Sequence, residues 1–179
     1  PKRLERILVT LGLGDNSAPL ATVVETLTQL PQYINVDIVT GNDGPPQKTA
    51  NDNRFHYHGF VSDMATMMVN ADLCIGAGGS ASWERCCLAL PSIQLILAEN
   101  QIPVARELAQ LGACVALDIT DRNLPEQLDR AVRRLSERPD ALNEMSHAAA
   151  KICDGEGAER TAEIITNLAG LNIKMFSNE

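Results

Sequence analysis

The segment of residues 71–101, ADLCIGAGGSASWERCCLALPSIQLILAENQ, constrains the fold of this chain more than any other stretch. A short apolar strand pattern is followed by a glycine turn, a helical pattern, a second apolar strand pattern and a polar loop. Two strands joined by one short helix pair in parallel, so the loops that follow them open at the same edge of the sheet. Open parallel sheets bind their ligands at such edges.

Strand and helix patterns alternate along the rest of the chain and predict an α/β fold. Apolar, β-branched runs predict strands at residues 6–11, 34–40, 54–58, 72–75, 92–97 and 113–117. Helical patterns cover residues 19–30, 62–70 with Ser62 as the cap, 80–89, 101–111, 125–137, 141–153 and 158–168, and residues 41–53 are interpreted as a loop. We expect a Rossmann-like parallel sheet of about six strands, in the order 3-2-1-4-5-6, with helices on both faces.

Composition excludes some classes of partner. The chain has 179 residues, a common size for one domain, and its net charge of -8 opposes binding to a phosphodiester backbone. Aromatic residues make up 3% of the chain, which leaves few platforms for stacking bases. The most apolar run, residues 86–98, is too short to span a bilayer, and the N-terminus PKRLER lacks the apolar core of a signal peptide. We therefore expect no nucleic acid and no membrane partner.

The five cysteines indicate a reducing compartment, and we expect a cytoplasmic location. Their number is odd, two of them are adjacent and none forms a Cys-x-x-Cys pair, so neither a disulfide framework nor a zinc set is predicted. We interpret them all as small buried apolar residues: Cys74, Cys86, Cys87, Cys114 and Cys153.

Histidine is scarce and supplies no metal site of its own. His56 and His58 alternate with Tyr57, so their rings point to one face of a strand. Without a third ligand they fit ordinary strand-end histidines better than a metal site, and His147 fits a surface position. We expect no metal and no cofactor.

The glycine turn GAGGS, residues 76–80, is the strongest candidate for a binding site. In the expected strand order, the loops beginning at Gly12, Gly78 and Asn100 converge on one crevice. Backbone amides at a glycine-rich helix start favour a phosphate or diphosphate, with Ser80 capping the helix. The alternative is a tight strand-to-helix turn with no ligand.

Glu84 lies one helical turn beyond Ser80 on the same face. It cannot form a capping box with Ser80, because Trp83 occupies the third helical position. A carboxylate at this place can accept hydrogen bonds from a ribose diol. The alternative is a solvated glutamate stabilised near the helix start.

Asn100 and Gln101 follow the fifth strand at the same crevice. Their side-chain amides both donate and accept hydrogen bonds, as a sugar or phosphate ligand requires. Asn100 can equally be the cap of the next helix, and the two interpretations are compatible.

The loop GLGDNS after the first strand is similar to a dinucleotide-binding turn but departs from it. Ser17 stands where the third glycine is needed, and the second strand does not end in an acidic residue, so NAD is disfavoured. The amides of Gly12 and Gly14 can still approach a phosphate. Asp15 and Asn16 are as well explained as turn residues.

The run FVSDMATMMVNADLCIGAGGSASWERCCLALPSIQL resembles the C-terminal, nucleotide-binding half of GT-B fold enzymes, in the branch with the N-acetylglucosaminyltransferase of peptidoglycan synthesis. GAGGSASWERCCLALPS followed by ENQ more closely resembles the UDP-sugar hydrolase of pseudaminic acid synthesis and related spore-coat polysaccharide proteins. The match is strongest from Gly59 to Gln101. The first loop departs from the family's usual Gly-Gly-Ser-Asp, because this chain has Gly12, Leu13, Gly14 and Asp15.

The resemblance implies a UDP site. The glycine turn would hold the diphosphate, the glutamate the ribose hydroxyls, residues 60–64 the uracil, and the loop after the fifth strand the sugar, where Asn100 would give support. The residues expected to bind UDP are Gly12, Gly14, Asp15, Phe60, Val61, Met64, Gly78, Gly79, Ser80, Glu84, Asn100 and Gln101.

The resemblance also implies an activity that this chain does not complete. In that family, water attacks the anomeric carbon, the C–O bond breaks and UDP leaves, while the N-terminal half supplies the histidine thought to activate water. We therefore expect residues 1–179 to be one UDP-binding or UDP-amino-sugar-binding domain without catalytic residues, inactive without its missing N-terminal half. The alternatives are the donor-binding half of a GT-B glycosyltransferase and a non-catalytic nucleotide-sugar binding module.

Overall fold

The computed structural model describes residues 3–12, 14–40, 49 and 52–168. Its strands are β1 (Arg6–Thr10), β2 (Asn35–Val39), β3 (Phe55–His58), β4 (Leu73–Ala77), β5 (Ser92–Ile96) and β6 (Cys114–Asp118). Its helices are α1 (Ser17–Leu27), α2 (Met64–Val69), α3 (Ala81–Cys87), α4 (Ile102–Gln110), α5 (Leu124–Glu137), α6 (Pro139–Ala150) and α7 (Gly157–Leu168). These strands form one parallel sheet in the order β3-β2-β1-β4-β5-β6. The α/β class and the expected strand order are confirmed.

Strands β1 and β4 lie side by side where the winding of the sheet reverses. Thr10 of β1 pairs with Gly76 of β4, and Ala77 of β4 pairs with Leu95 of β5. Because the strands are parallel, the loops after β1, β4 and β5 open at one edge, which we call the carboxyl edge. The sequence-based expectation that these loops share an edge is confirmed.

Alternate residues of each strand pack into separate apolar layers, because successive side chains of a strand point to opposite faces. On one face, Ile7 and Ile75 pack with Val23 of α1 and Leu128 of α5. On the other face, Leu8 packs with the methionines of α2. Each fully buried Leu or Ile contributes about 1.5–3 kcal/mol, so the two layers hold the carboxyl edge rigidly.

The helix starts differ from the sequence-based expectations in instructive ways. Helix α1 begins at Ser17, two residues before Pro19, because proline is tolerated in the first turn of a helix. The cap of α2 is Asp63, whose carboxylate accepts a hydrogen bond from the Thr66 amide at 3.0 Å, and the expected Ser62 cap is wrong. Most of the expected loop 41–53 lies outside the described residues.

Among the described helices, none has both the length and the apolar character that a bilayer-spanning segment requires.

Arg54 ties the end of α1 to the sheet. Its side chain is 6% exposed, and its guanidinium donates to the carbonyl oxygens of Thr28, Leu30 and Pro31 at 3.0–3.3 Å. The same group forms an ion pair with Asp52 at 2.7 Å. Every guanidinium nitrogen of Arg54 is therefore hydrogen-bonded, and the charge has a counter-ion.

We expect Arg54→Met to lower the free energy of unfolding by about 2 kcal/mol, because it removes the donor of the Thr28 and Leu30 carbonyls and the counter-ion of Asp52. Urea unfolding followed by circular dichroism measures the change. Arg122→Met, at an exposed position, is the control and should stay within about 0.5 kcal/mol of the parent chain. Equal stability of the two variants would contradict the prediction.

Candidate functional site

The glycine turn after β4 lies in contact with the polar loop after β5. A Cβ built on Gly78 would lie 3.3 Å from the Cβ of Gln101 and 3.6 Å from the Cβ of Ala105. A glycine suits this position because a side chain would require the start of α4 to give by a few tenths of an ångström. The structure thus brings together two of the three loops that the sequence places at the carboxyl edge.

Three consecutive amides, at the end of the turn and the start of α3, are free of hydrogen bonds to the described residues. The amide of Gly78 donates to the Leu95 carbonyl at 3.1 Å, which completes the β4–β5 ladder. The amides of Gly79, Ser80 and Ala81 have no hydrogen-bond partner in the part of the chain that the structure describes. No heavy atom lies within 4 Å of a Cβ built on Gly79, so this side of the turn is open.

Two details of the expected anion site are therefore corrected. Gly78 was expected to offer its amide to the phosphate, but that amide is already used within the sheet. Ser80 is the N-cap of α3 by position, but its backbone is helical and its side chain makes no capping hydrogen bond. Its exposed hydroxyl can therefore bind a ligand, whereas the hydroxyl oxygen of a capping serine accepts a hydrogen bond from a helix amide.

Glu84 lies in the first turn of α3, one helical turn beyond Ser80. It is exposed, and its carboxylate has no hydrogen-bond or ion-pair partner among the described residues. Trp83, which directly precedes the glutamate at the third position after the cap, is about half exposed. The site therefore presents a free acceptor beside the free amides of the turn.

The loop after β5 is a 3-10 turn, Glu99–Gln101. The cap of α4 is Gln101, so the alternative interpretation of Asn100 as this cap is wrong. The Gln101 Oε1 accepts a hydrogen bond from the Leu97 amide at 2.9 Å, which leaves the Gln101 side chain only its NH2 donors for a ligand. Asn100 is exposed, with both its donor and its acceptor groups available.

The loop after β1 has backbone angles that favour glycine: φ is +82° at Gly12 and +145° at Gly14. The Asp15 carboxylate accepts hydrogen bonds from the amide and the hydroxyl of Ser17, and these bonds lower the pKa of Asp15. The side-chain amide of Asn16 donates to the Leu11 carbonyl at 3.1 Å. Asp15 and Asn16 therefore build the turn. Residue 13 lies outside the described residues.

Residues 60–64 follow β3 at the same edge but stand apart from the glycine turn. Strand β3 is three places from β4 in the sheet, about 14 Å at ordinary strand spacing. Phe60 is 84% exposed, and Val61 is partly exposed. Met64 packs partly against the apolar layer under the sheet, so it supports this segment as much as it faces solvent.

Arg85, one residue beyond Glu84, was not singled out from the sequence. It is 1% exposed, and its Nη2 donates to the Ala77 carbonyl at 2.8 Å and to the Ser82 hydroxyl at 3.0 Å. Its Nε and Nη1, and the Oε1 of Gln94 nearby on β5, are buried without a partner in the described part of the structure. The available signal was spacing: Ser82, Arg85 and Cys86 form the buried stripe of α3, and a charge in such a stripe is unusual.

The cysteines are only partly as expected. Cys74, Cys86 and Cys114 are buried, and burial raises the pKa of each thiol, that of Cys114 to about 12. Cys87 is exposed and Cys153 is partly exposed, so the expectation that all five are buried is wrong for these two. The short α3 turns its second vicinal cysteine outward, because adjacent helical residues cannot share a face.

The histidines have structural surroundings. The Nε2 of His58 lies 2.8 Å from Oδ1 of Asp37, and Oδ2 of the same carboxylate lies 3.4 Å from Nη1 of Arg6. His56 is exposed, and His147 is exposed as expected. Among the residues that the structure describes, no group of three or more potential metal ligands is found.

Two sizeable grooves lie outside the glycine turn and the loops after β1 and β5. One, of about 740 Å³, lies between α1 and α5 and is lined by charges of both signs. The other, of about 650 Å³, is lined by α4, β6, α5 and α6. Neither contains a residue expected to bind UDP, whereas free backbone donors and a free carboxylate meet at the glycine turn and the start of α3.

Residues 7–165 match the model of the glycosyltransferase family 28 C-terminal domain. The chain is 26% identical over 174 residues to the spore coat polysaccharide biosynthesis protein SpsG of Bacillus subtilis strain 168, covering 93% of this chain and 51% of that protein. It is 30% identical over 171 residues to a UDP-N-acetylglucosamine–N-acetylmuramyl-(pentapeptide) pyrophosphoryl-undecaprenol N-acetylglucosamine transferase of Synechocystis, covering 89% and 47% of the two chains. The chain thus spans about half the length of these relatives.

Solved structures show the same fold. Acinetobacter baumannii MurG superposes with a TM-score of 0.79 at 21% identity, covering 93% of this chain and 50% of that one. Staphylococcus aureus MnaA in complex with UDP gives a TM-score of 0.76 at 14% identity, covering 94% and 47%. The fold is that of the C-terminal half of GT-B glycosyltransferases. The match across most of its length shows that the chain belongs to the glycosyltransferase family 28 C-terminal domain family.

Proposed function

We propose that this chain is the donor-binding half of a GT-B glycosyltransferase and that its carboxyl edge binds the UDP part of a UDP-sugar. The observation that carries the proposal is the row of free amides at Gly79, Ser80 and Ala81 beside the unengaged carboxylate of Glu84. Membership of the glycosyltransferase family supports it, as do relatives that are named for a UDP-N-acetylglucosamine substrate.

The hydrolase interpretation from the sequence is not supported in the same way. None of the relatives and structures reported above is named as a hydrolase, and the family is one of transferases. The transferase alternative therefore becomes the main proposal. Hydrolysis remains an outcome that the experiment below can detect.

Each part of UDP has a proposed partner. The free amides after Gly78 bind the diphosphate, and the Glu84 carboxylate accepts hydrogen bonds from the ribose diol. Asn100 and the NH2 group of Gln101 donate to the sugar side. Phe60 and Val61 flank the uracil, and the loop of Gly12, Gly14 and Asp15 lies over the phosphates.

The chemical contribution of this half is to stabilise a leaving group. As the bond between the anomeric carbon and the diphosphate oxygen breaks, negative charge develops on the diphosphate. Preorganised backbone amides stabilise such charge without reorganising during the reaction. The acceptor and the base that activates it belong, in this proposal, to a second domain outside residues 1–179.

Helix α7 supports the presence of that second domain. None of its described side chains is buried, and Ile164, Ile165 and Leu168 are 60–83% exposed. Contiguous exposed apolar residues on one helix are typical of a surface that packs against another domain or protein.

Titration calorimetry of the chain with UDP tests the proposal. We expect saturable binding of UDP and weaker binding of uridine, because uridine lacks the diphosphate that the free amides bind. ADP should bind more weakly than UDP if residues 60–61 recognise uracil. Absence of saturable UDP binding would refute the proposed function.

An activity assay separates transferase from hydrolase. In the longer protein that joins this chain to its proposed second domain, UDP release from a UDP-sugar should require an acceptor. Release at the same rate without acceptor would instead support the hydrolase. No release under either condition would favour the non-catalytic binding module.

A further inference from the structure

Arg85 is a buried cation without an anion. It has no carboxylate within ion-pair distance in the described residues, and two of its three guanidinium nitrogens have no hydrogen-bond partner there. A buried charge is costly unless it is paired and hydrogen-bonded. An arrangement that leaves this charge unpaired therefore needs a reason.

Comparison with Arg54 shows what a purely structural buried arginine looks like in this chain. Arg54 pairs with Asp52 and satisfies all its nitrogens on carboxylate and carbonyl oxygens. Arg85 lies as deep but uses only Nη2. A structural role alone does not explain a buried guanidinium in which two nitrogens have no hydrogen-bond partner among the described residues and which has no counter-ion there.

The neighbours of Arg85 do not neutralise it. The charge of Arg85 lowers the pKa of the Cys74, Cys86 and Cys114 thiols, and the Cys74 thiol is also within hydrogen-bonding reach of the guanidinium. Burial raises the pKa of each thiol by more, so the thiols stay protonated and supply no negative charge. Gln94, which pairs with Gly76 in the sheet, is neutral. The carboxylate of Asp37 lies on the same face of the sheet, two strands from β4, but it is engaged by Arg6 and His58. Arg85 is therefore left without a carboxylate partner in the described part of the chain.

That charge lies directly beneath the glycine turn. The Nη1 of Arg85 is 2.7 Å from the position of a Cβ on Gly76, and Nη2 bonds the Ala77 carbonyl, which belongs to the first peptide of the turn. The next free amides along the chain are those of Gly79 and Ser80. Only Gly78 separates Ala77 from Gly79 along the chain, and a cation in a medium of low dielectric is little screened over so short a separation.

We propose that Arg85 is a positioning residue for the diphosphate: it holds the Ala77 carbonyl and the Ser82 hydroxyl, and the diphosphate of UDP is the missing counter-charge of its buried guanidinium. The inference rests on the proposed function. Arg85 does not touch the ligand, since the peptide of Ala77 lies between them. It fixes the turn and raises the electrostatic potential at the free amides.

The test compares UDP with uridine, because a shared loss of affinity reflects structure and a selective loss reflects the phosphate charge. Arg85→Met should weaken UDP binding by about tenfold while uridine binding stays within about twofold. A single buried charge next to the turn that binds the diphosphate is expected to change the affinity by about tenfold. Arg54→Met is the control: it should destabilise the fold but leave the ratio of UDP to uridine affinity unchanged. An equal loss for both ligands in Arg85→Met, or no loss for UDP, overturns the proposal.

A second pair of variants tests the charge without removing the arginine. Ser82 is fully buried, and its hydroxyl is 3.0 Å from Nη2. Ser82→Asp supplies an internal counter-ion and should lower the UDP-to-uridine affinity ratio about tenfold, as for Arg85→Met. Ser82→Asn introduces a side chain of the same shape as aspartate but without charge, and it should leave the ratio unchanged. Equal ratios in these two variants overturn the proposal even if Arg85→Met does not fold. If the parent chain does not bind UDP, the proposed function fails first. If the parent binds UDP and all variants keep its ratio, only the role of Arg85 fails.

Discussion

Gly76→Ala should lower the free energy of unfolding by about 3 kcal/mol and the melting temperature by roughly 6–12 °C. A Cβ at this position would lie 2.7 Å from the Nη1 of Arg85 and 3.1 Å from the Thr10 carbonyl oxygen. Neither neighbour can move aside easily. Thr10 is part of β1 and pairs with Gly76, and the guanidinium is held by its two hydrogen bonds in a buried space. Differential scanning calorimetry measures the shift.

Gly79→Ala is the matched control for this prediction. No heavy atom lies within 4 Å of its Cβ position, and its φ lies outside the left-handed region. We expect its stability to stay within about 0.5 kcal/mol of the parent chain, since neither strain nor overpacking applies. Equal melting temperatures for the two variants would show that the close approach of β4 to Arg85 does not limit packing at position 76.

If the proposed site is right, Glu84→Ala should weaken UDP binding about thirtyfold, or about 2 kcal/mol, because two hydroxyl donors of the ribose would lose a charged acceptor. The fold should be unaffected: Glu84 is exposed and no described residue depends on its carboxylate, so only the interaction with the helix start, about 0.3–1 kcal/mol, is lost. Calorimetric titration gives the affinity, and Trp83 supplies a second signal, since it is the single tryptophan of the chain and adjoins Glu84.

Two controls sharpen the Glu84 prediction. Glu126 also lies in the first turn of a helix at the carboxyl edge, but after β6, two strands from β4, so Glu126→Ala should leave UDP affinity unchanged. The 2′-deoxy analogue of UDP removes one proposed partner from the ligand side. This analogue should bind the parent chain more weakly than UDP does. In the Glu84→Ala variant, the analogue and UDP should bind equally well. Additive losses would mean that Glu84 does not contact the ribose.

The element order and the sheet topology were predictable because their causes are local. Apolar runs, glycine turns and helical spacing each depend on a few neighbouring residues, and short right-handed crossovers leave few ways to arrange them. The pairing of Thr10 with Gly76 follows from that arrangement. Helix starts were less predictable. Ser62 and Asp63 are both good caps, and only the backbone at Asp63 decides between them.

The candidate site shows the same division. Glycine spacing located the turn, and the position of Glu84 relative to Ser80 followed from helical geometry. Two hydrogen bonds could not be predicted from the sequence: the Gly78 amide donates to the Leu95 carbonyl, and the Gln101 Oε1 accepts from the Leu97 amide. Both depend on how the neighbouring segments pack. The free amides consequently begin at Gly79, one residue further along the turn than expected.

The amino-acid sequence by itself determined the parallel α/β fold, the strand order and the edge at which glycines, a glutamate and two amide side chains collect. These features follow from periodicity and chain connectivity, which are properties of short segments. Only the tertiary structure decided which amides are free and where the charge of Arg85 lies. Burial and hydrogen-bond partners depend on groups brought together from β1, β4, β5 and α3. The environment of Arg85, on the buried side of a short helix, is therefore defined only once the strands beneath that helix are in place.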